Sequence, residues 1–101
     1  MNDDRSTFIS TVDESTITDV LQALADPVRL AIVRELGAGE PVACGTFRLG
    51  ISPSTLTHHL KVLRQAGVVD TRVDGKRRLN TLRREELDRR FPGLLDSVLA
   101  A

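Results

Sequence analysis

The side chains best suited to bind another molecule lie between Ser52 and Gly67. If this segment is a helix, with about 100° between successive residues, one side of it carries hydroxyl, imidazole, ammonium and amide groups and no acid. Short hydroxyls permit close approach, the longer groups reach base edges or phosphate oxygens, and a helix N-terminus attracts anions. These groups are Ser52, Ser54, Thr55, Thr57, His58, Lys61 and Gln65. The pattern favours contact with a DNA groove, although an ordinary amphipathic surface helix would share it.

Local signals at both ends predict that this helix spans 53–66. Ser52 is an N-cap residue, and Pro53 suits the first helical position because that position needs no N–H. Gly67 follows the last periodic residue and can adopt the left-handed conformation that ends helices. The opposite side of the helix carries Leu56, Leu60 and Leu63, with His59 at its border. We expect the leucines to enter a core and the imidazole to be packed and hydrogen-bonded beside them.

After this helix the apolar pattern becomes alternating, which predicts a β-hairpin over 68–81. Asp74-Gly75 is a turn signal, and loops of two or three residues are both consistent with it. The three-residue loop pairs Thr71 with Leu79 and keeps apolar residues on one face, so we predict that register. The tip is basic with either loop, because it carries Lys76, Arg77 and Arg78.

Three helices are predicted before this segment. The first begins near Ser15, and the second has Asp26 as its N-cap and ends at Gly37. A short third helix is predicted from about Val42 to Arg48, followed by a tight junction at 49–52. Two helices joined by a short turn, the second with a small polar N-terminus, form a helix-turn-helix arrangement. The basic hairpin that follows is then a wing.

The first and last helices each carry an apolar stripe that is more than a small domain needs to close its own core. The pattern of the last segment is helical from Leu87 to Leu99, with a break expected at Pro92. A symmetric dimer would hide both stripes at once. We therefore predict a homodimer with an interface formed by Ile17, Val20, Leu21, Leu24, Leu94, Leu95, Val98 and Leu99.

Charge is separated along the chain although the net charge is zero. Residues 1–26 hold six acids and one base, which sum to −5, whereas residues 52–84 hold eight bases and two acids, which sum to +6. A local basic region is what binding to nucleic acid requires, even when the total charge is neutral.

The length of 101 residues is that of one domain. We expect a mobile acidic arm over 1–14 and, over 15–101, a mainly α domain with a small β-hairpin wing, in the order α-α-α-α-β-β-α. No apolar run approaches the roughly 20 residues that span a membrane. The first residues also lack the basic start and apolar middle of a signal peptide. Together with a single cysteine, Cys44, this predicts a cytoplasmic protein without membrane attachment.

Few residues support catalysis or metal binding. His58 and His59 point about 100° apart on a helix, so they cannot both ligate one metal ion. Cys44 is either a packed structural cysteine or a thiol that reacts with oxidants or electrophiles. No acid-paired nucleophile, glycine-rich phosphate loop or carboxylate dyad is visible. We expect no enzymatic activity, no bound metal and no cofactor.

Three segments resemble the ArsR family of winged-helix bacterial transcriptional regulators. They are LADPVRLAIVREL at 24–36, STLTHHLKVLRQAGVV at 54–69 and DGKRR at 74–78. They follow the order and spacing of that family and fall within a stretch from Leu24 to Leu82 that covers over half of the chain. The resemblance implies a homodimer formed by the first and last helices, a palindromic operator in double-stranded DNA, and repression relieved by an inducer. For this chain an unknown small-molecule inducer, another effector and no effector all stay open.

The chain also departs from that family. Metal-sensing members carry a Cys-x-Cys pair in the third helix, whereas this region reads VACGTF and holds Cys44 alone. Other members place His and carboxylate ligands on the last helix, and here no histidine follows His59. Metal sensing is therefore not expected. The alternative function is a winged helix that binds only proteins, with its basic patch facing solvent or an acidic partner.

Overall fold

The computed structural model describes residues 15–101, so the predicted arm over 1–14 lies outside the described residues. Five α-helices, three short strands and one 3₁₀ turn follow one another along the chain. The helices are α1 (Ile17–Leu24), α2 (Pro27–Leu36), α3 (Pro53–Gln65), α4 (Arg84–Arg90) and α5 (Leu94–Ala100). The strands are β1 (Val42–Ala43), β2 (Val69–Asp74) and β3 (Arg77–Leu82), and the 3₁₀ turn is Cys44–Thr46.

The predicted ends of α2 and α3 are confirmed to within a residue. Asp26 accepts hydrogen bonds from the backbone N–H groups of the first turn of α2, and Ser52 Oγ does the same for α3. Gly67 has φ 83° and closes α3, because its N–H and the next one donate back to the helix's last carbonyls. Since these signals depend on neighbouring residues alone, the sequence was sufficient to place both helices.

The core lies between the helices and one face of the sheet. It contains the predicted leucines of α3, which are buried as expected. Val68 just before β2 and Val69 at its first position extend the core to the sheet, and residues of α4 and α5 complete it. Its buried apolar members are Val20, Ala23, Leu24, Ile32, Val33, Leu36, Leu56, Leu60, Leu63, Ala66, Val68, Val69, Leu87 and Leu95.

The predicted third helix over 42–48 is wrong. Val42 and Ala43 form a strand that pairs antiparallel with β3, opposite Asn80 and Leu79, and only a single 3₁₀ turn follows it. A β-branched residue whose backbone is paired with a neighbouring strand has no reason to become helical. The first element of the helix-turn-helix is therefore one turn long. The sheet has three strands in the order β1-β3-β2.

The predicted hairpin register is also wrong. The strands pair Asp74 with Arg77 and Thr71 with Asn80, which leaves a two-residue loop at 75–76. The prediction assumed that apolar residues share the inner face of the hairpin. That face instead holds a buried polar pair, because Thr71 Oγ1 donates to Asn80 Oδ1 at 2.8 Å.

The last predicted helix is two helices, which confirms the break near Pro92. The chain turns over Phe91 to Gly93, and Gly93 adopts a left-handed conformation with φ 86°. The class predicted from the sequence, a winged helix-turn-helix, is confirmed, with these changes in its elements. Among residues 15–101, no helix is both long enough and apolar enough to cross a membrane.

Candidate nucleic-acid interface

Helix α3 presents its polar side to solvent over its whole length. All seven residues predicted from the sequence for this surface are exposed, while the leucines on the other side are buried. The helix contains no acidic residue. Its exposed side therefore offers hydroxyl, imidazole, ammonium and amide groups without repelling phosphate.

Hydroxyl groups at the start of α3 form a small hydrogen-bonded cluster. Ser52 Oγ accepts from Thr55 N at 3.2 Å, donates to Thr55 Oγ1 at 2.9 Å and lies 3.2 Å from Ser54 Oγ. Thr57 Oγ1 donates to Pro53 O at 2.9 Å. The Thr57 hydroxyl already uses its O–H to donate this hydrogen bond within the helix, so it can only accept a hydrogen bond from a partner.

The wing carries its three cations at the tip. Gly75 begins the two-residue loop with φ 65°, a left-handed conformation that favours glycine. Lys76, Arg77 and Arg78 follow directly and are exposed. Val73, paired with Arg78 across the hairpin, is also exposed, because the wing extends beyond the core.

An open groove of about 590 Å³ joins the helix to the wing. Thr57 borders it from α3, and the three basic residues of the tip border it from the wing. The third border is the 3₁₀ turn with the residue before it, formed by Ala43, Cys44 and Gly45. No carboxylate is among these described lining residues, so the groove is a cationic channel on the surface. Sequence reasoning missed the contribution of the turn, because it placed a helix there.

Cys44 lies at the inner edge of this groove. It is half-buried, and its Sγ accepts a hydrogen bond from Asn80 Nδ2 at 3.4 Å. The packed alternative for this cysteine is therefore consistent with its surroundings. Whether the thiol reacts with oxidants stays a prediction.

A partly buried series of polar contacts connects α3 to the wing. Arg64 Nη1 donates to Thr71 Oγ1 at 3.4 Å, Thr71 donates to Asn80, and Asn80 Nδ2 also donates to Val42 O at 3.0 Å. Burial and, next, the charge of Arg78 lower the pKa of the Arg64 guanidinium. Asn80 and Thr71 are both buried in an otherwise apolar core. No periodicity argument finds such residues, since it assumes that buried positions are apolar.

His59 is packed at the core border, as predicted. Its side chain is mostly buried, and its Nδ1 lies 3.1 Å from Arg29 Nη1. Its neighbour His58 is exposed, with the two ring centroids 5.5 Å apart. Within residues 15–101, no group of three His, Cys, Asp or Glu side chains is arranged to hold a metal ion.

The structure narrows the predicted dimer surface. Val20, Leu24 and Leu95 are only 1%, 7% and 2% exposed, because they pack into the core of their own chain. Ile17 and Leu21 are 41% and 50% exposed. The other three predicted residues, Leu94, Val98 and Leu99, are partly buried. The dimer prediction therefore depends on the exposed side of α1 and the partly exposed side of α5.

Similarity to known proteins is found in the part of the chain that contains α2 and α3. A family model for a helix-turn-helix domain matches residues 24–72, from the end of α1 into β2. This range contains α2, the 3₁₀ turn and α3, but it ends before the tip of the wing.

Relatives in several bacteria cover more of the chain. An uncharacterized HTH-type transcriptional regulator of Bacillus subtilis (strain 168), YceK, is 33% identical over 89 aligned residues. The match covers 85% of this chain and 89% of the relative. An arsenical resistance operon repressor of Staphylococcus xylosus is 37% identical over 73 residues, 71% of this chain and 70% of the relative. A biofilm growth-associated repressor of Agrobacterium fabrum (strain C58 / ATCC 33970) is 43% identical over 58 residues, 56% of this chain and 50% of the relative.

Proposed function

Because this chain belongs to the ArsR family of winged helix-turn-helix transcriptional regulators, we propose that it is a repressor whose homodimer binds a palindromic operator. Helix α3 enters the major groove of double-stranded DNA, and the wing over 69–82 follows the adjacent backbone. Relatives that are named as repressors support this direction of regulation.

The observation that carries the proposal is the shared groove between the acid-free side of α3 and the three wing cations. A helix with its side chains is about 10–12 Å across, and the major groove of B-DNA is about 12 Å wide. The helix therefore fits the groove only with its exposed side against the base edges. The wing cations then lie where the phosphates of a groove wall pass.

The two surfaces have different tasks in this proposal. Thr57, His58 and Lys61 lie in the middle of the exposed helix side and contact base edges, which carry sequence information. Lys76, Arg77 and Arg78 contact phosphates, which position the protein on any sequence. Ser52, Ser54, Thr55 and Gln65 lie at the two ends of the helix and hold the neighbouring backbone.

A dimer places two such units on one operator. The exposed apolar side of α1, with Ile17 and Leu21, and the partly exposed Leu94, Val98 and Leu99 of α5 form the proposed subunit contact. A two-fold axis between the subunits requires a palindromic DNA site, with half-sites about one helical turn apart. An inducer that repositions the two helices would release the operator. We propose a small molecule other than a divalent metal ion for that role.

DNA binding with a sequence-specific increment tests this function. The protein is first used to select genomic fragments, and affinity for the selected duplex is then compared with a scrambled duplex of equal composition by fluorescence anisotropy. The six wing cations of a dimer predict a slope of log K against log salt of about −5 from the wings alone. A selected duplex bound at least roughly a thousand times more tightly than the scrambled one supports the repressor.

The protein-interaction module is the outcome that contradicts the proposal. In that case the protein binds no duplex at low salt, about 50 mM, where non-specific phosphate contacts are strongest. Binding to every duplex with equal affinity would instead indicate a non-specific DNA-binding protein, and would contradict the operator.

A further inference from the structure

Arg29 connects three helices at the base of the recognition helix. Its side chain leaves α2, and its Nε donates to Ala23 O at 2.6 Å while Nη2 lies 3.5 Å from Gln22 O. Both carbonyls belong to the last turn of α1. On the other side, Nη1 lies 3.1 Å from Nδ1 of His59 on α3. One guanidinium thus contacts α1 and α3 from α2.

The contact with α1 brings a positive charge to a helix end where Gln22 O already accepts from Ala25 N but no basic residue of α1 is near. The last carbonyls of a helix lack N–H partners and carry a partial negative charge, which a nearby cation stabilises. Helix α1 has no basic residue in its last turn. Arg29 supplies that cation from the next helix, and its planar fork determines the direction of both contacts.

The contact with His59 has only one chemically consistent form. Arginine has N–H donors and no acceptor, so Nδ1 of His59 must be the acceptor in this contact, which leaves Nε2 as the ring nitrogen that carries the hydrogen. Asp26 Oδ2 lies 4.0 Å from the same Nδ1, beyond hydrogen-bonding distance, and already accepts from Val28 N and Arg29 N. Chiefly that backbone hydrogen bond from Arg29 lowers the pKa of Asp26 and keeps it charged. By distance, Nδ1 of His59 therefore hydrogen-bonds to Arg29 and not to Asp26.

This hydrogen bond constrains α3 in a way that its leucines cannot. The buried leucines determine which side of α3 faces outward, but apolar contacts are non-directional, so they define small rotations and slides of the helix less sharply than a hydrogen bond does. A charge-assisted hydrogen bond has a set distance and direction. His59 is adjacent to His58, which points outward, so a rotation of α3 that breaks the contact also moves the exposed side of the helix.

We propose that Arg29 is a positioning residue for DNA recognition, which sets the rotation of α3 relative to α1 through His59. The inference rests on the proposed function, because it assigns to Arg29 the alignment of the side chains that read base edges. Arg29 also links α3 to α1, whose exposed side we propose as a subunit contact. Subunit geometry and base reading are then joined by one side chain.

Variants of Arg29 and His59 test this role. Arg29→Met keeps the aliphatic stem and removes all three contacts, and Arg34→Met makes the same change at an exposed arginine of α2. His59→Leu removes the acceptor, whereas His59→Asn places an amide oxygen near the position of Nδ1 and leaves the contacts of Arg29 with α1 intact. Each variant is measured on selected and scrambled duplexes, with its melting temperature recorded so that binding is compared well below unfolding.

Arg29→Met and His59→Leu are each expected to reduce the preference for the selected duplex by roughly tenfold, part of the discrimination that a base contact supplies. The slope of log K against log salt stays unchanged, because the wing phosphates are still bound. His59→Asn and Arg34→Met are expected to keep the preference for the selected duplex within about threefold of the parent's. This is a smaller change than the loss expected when the contact between Arg29 and His59 is removed. The double variant Arg29→Met, His59→Leu is expected to lose no more preference than Arg29→Met alone, since both changes remove the contact between Arg29 and His59.

Two results separate the failure of this inference from the failure of the function. If the parent protein discriminates but Arg29→Met and His59→Leu weaken both duplexes equally while folded, Arg29 has a structural role only and the inference is wrong. If His59→Asn lowers the preference for the selected duplex as much as His59→Leu does, loss of the hydrogen-bond acceptor at residue 59 is not the cause of the lowered preference, and the inference is wrong. If the parent protein itself does not discriminate between duplexes, the proposed function and this inference are both overturned.

Discussion

Helix α3 and the wing approach the same groove, but they are held in the molecule by different forces. The helix is anchored by leucines that enter an apolar core, with a hydrogen bond from Arg29 at its border. The wing is anchored by the buried polar pair Thr71 and Asn80, and its tip extends beyond the core. Apolar burial determines which side of a helix faces outward, while hydrogen bonds with set partners determine how two strands align. The side of α3 proposed to read bases and the wing tip proposed to bind phosphates are therefore expected to respond differently to mutation.

The largest expected effect comes from separating the two subunits of the proposed dimer, which would leave one helix and one wing on the DNA. Leu21→Glu places a charge on the exposed apolar side of α1, and we expect a monomer with operator affinity reduced by a hundredfold or more, on the order of the avidity that a second subunit supplies. Analytical ultracentrifugation and anisotropy measure the two effects. Gln22→Glu is the matched control, because it adds the same charge at the next position. A Leu21→Glu protein that remains dimeric would contradict the proposed interface.

The wing anchor should be sensitive to the loss of one polar partner. Asn80→Leu leaves the buried hydroxyl of Thr71 without its acceptor, and we expect the free energy of unfolding to fall by about 1–3 kcal/mol. Adding Thr71→Val should recover part of that loss, because both buried groups are then apolar. Urea denaturation monitored by circular dichroism measures both. A double variant that is less stable than Asn80→Leu would contradict this expectation and would indicate that the contact of Thr71 with Arg64 matters more than its bond to Asn80.

Changes on the exposed side of α3 should reduce sequence specificity. His58→Ala is expected to cost about 1–3 kcal/mol on the operator and much less on scrambled DNA, because base edges carry the sequence information. Anisotropy on the two duplexes measures the difference. An equal loss on both would place His58 on a phosphate instead of a base.

Changes at the wing tip should reduce the dependence of DNA affinity on salt concentration. Arg77→Ala is expected to weaken both duplexes similarly and to lower the slope of log K against log salt by about one for each phosphate that the variant no longer binds, or up to twice that in a dimer. Arg89→Ala on α4 removes the same charge away from the groove and serves as the control. An altered operator preference with an unchanged slope would reverse the assignment of the two surfaces.

The smallest expected effect is that of metal ions. Stoichiometric zinc should leave operator affinity within about twofold, because a closed site needs about four ligands and residues 15–101 bring no three candidate ligands together. Anisotropy with and without the ion measures this. A loss beyond tenfold that Cys44→Ser abolishes would establish a metal site between subunits.

The sequence by itself determined what depends on neighbouring residues. Caps and glycines placed α2 and α3, periodicity identified the buried side of α3, and the charge run placed the cations at the hairpin tip. The exposed candidates on α3 and the wing followed from the same signals, and all ten are at the surface. Each signal acts within one turn of helix or one hairpin, so no distant contact can easily overrule it.

Only the tertiary structure decided what depends on residues far apart in the chain. Val42 became a strand because β3, nearly 40 residues later, supplies its partner at Asn80. The hairpin register followed from that same asparagine, which bonds to both flanking strands and so makes a polar residue favourable in the core. Leu24 and Leu95 face inward because they pack with residues of α2, α3 and α4 in one buried core of the same chain. A periodic pattern shows that a side is apolar, but it does not show whether its own chain or a partner covers it.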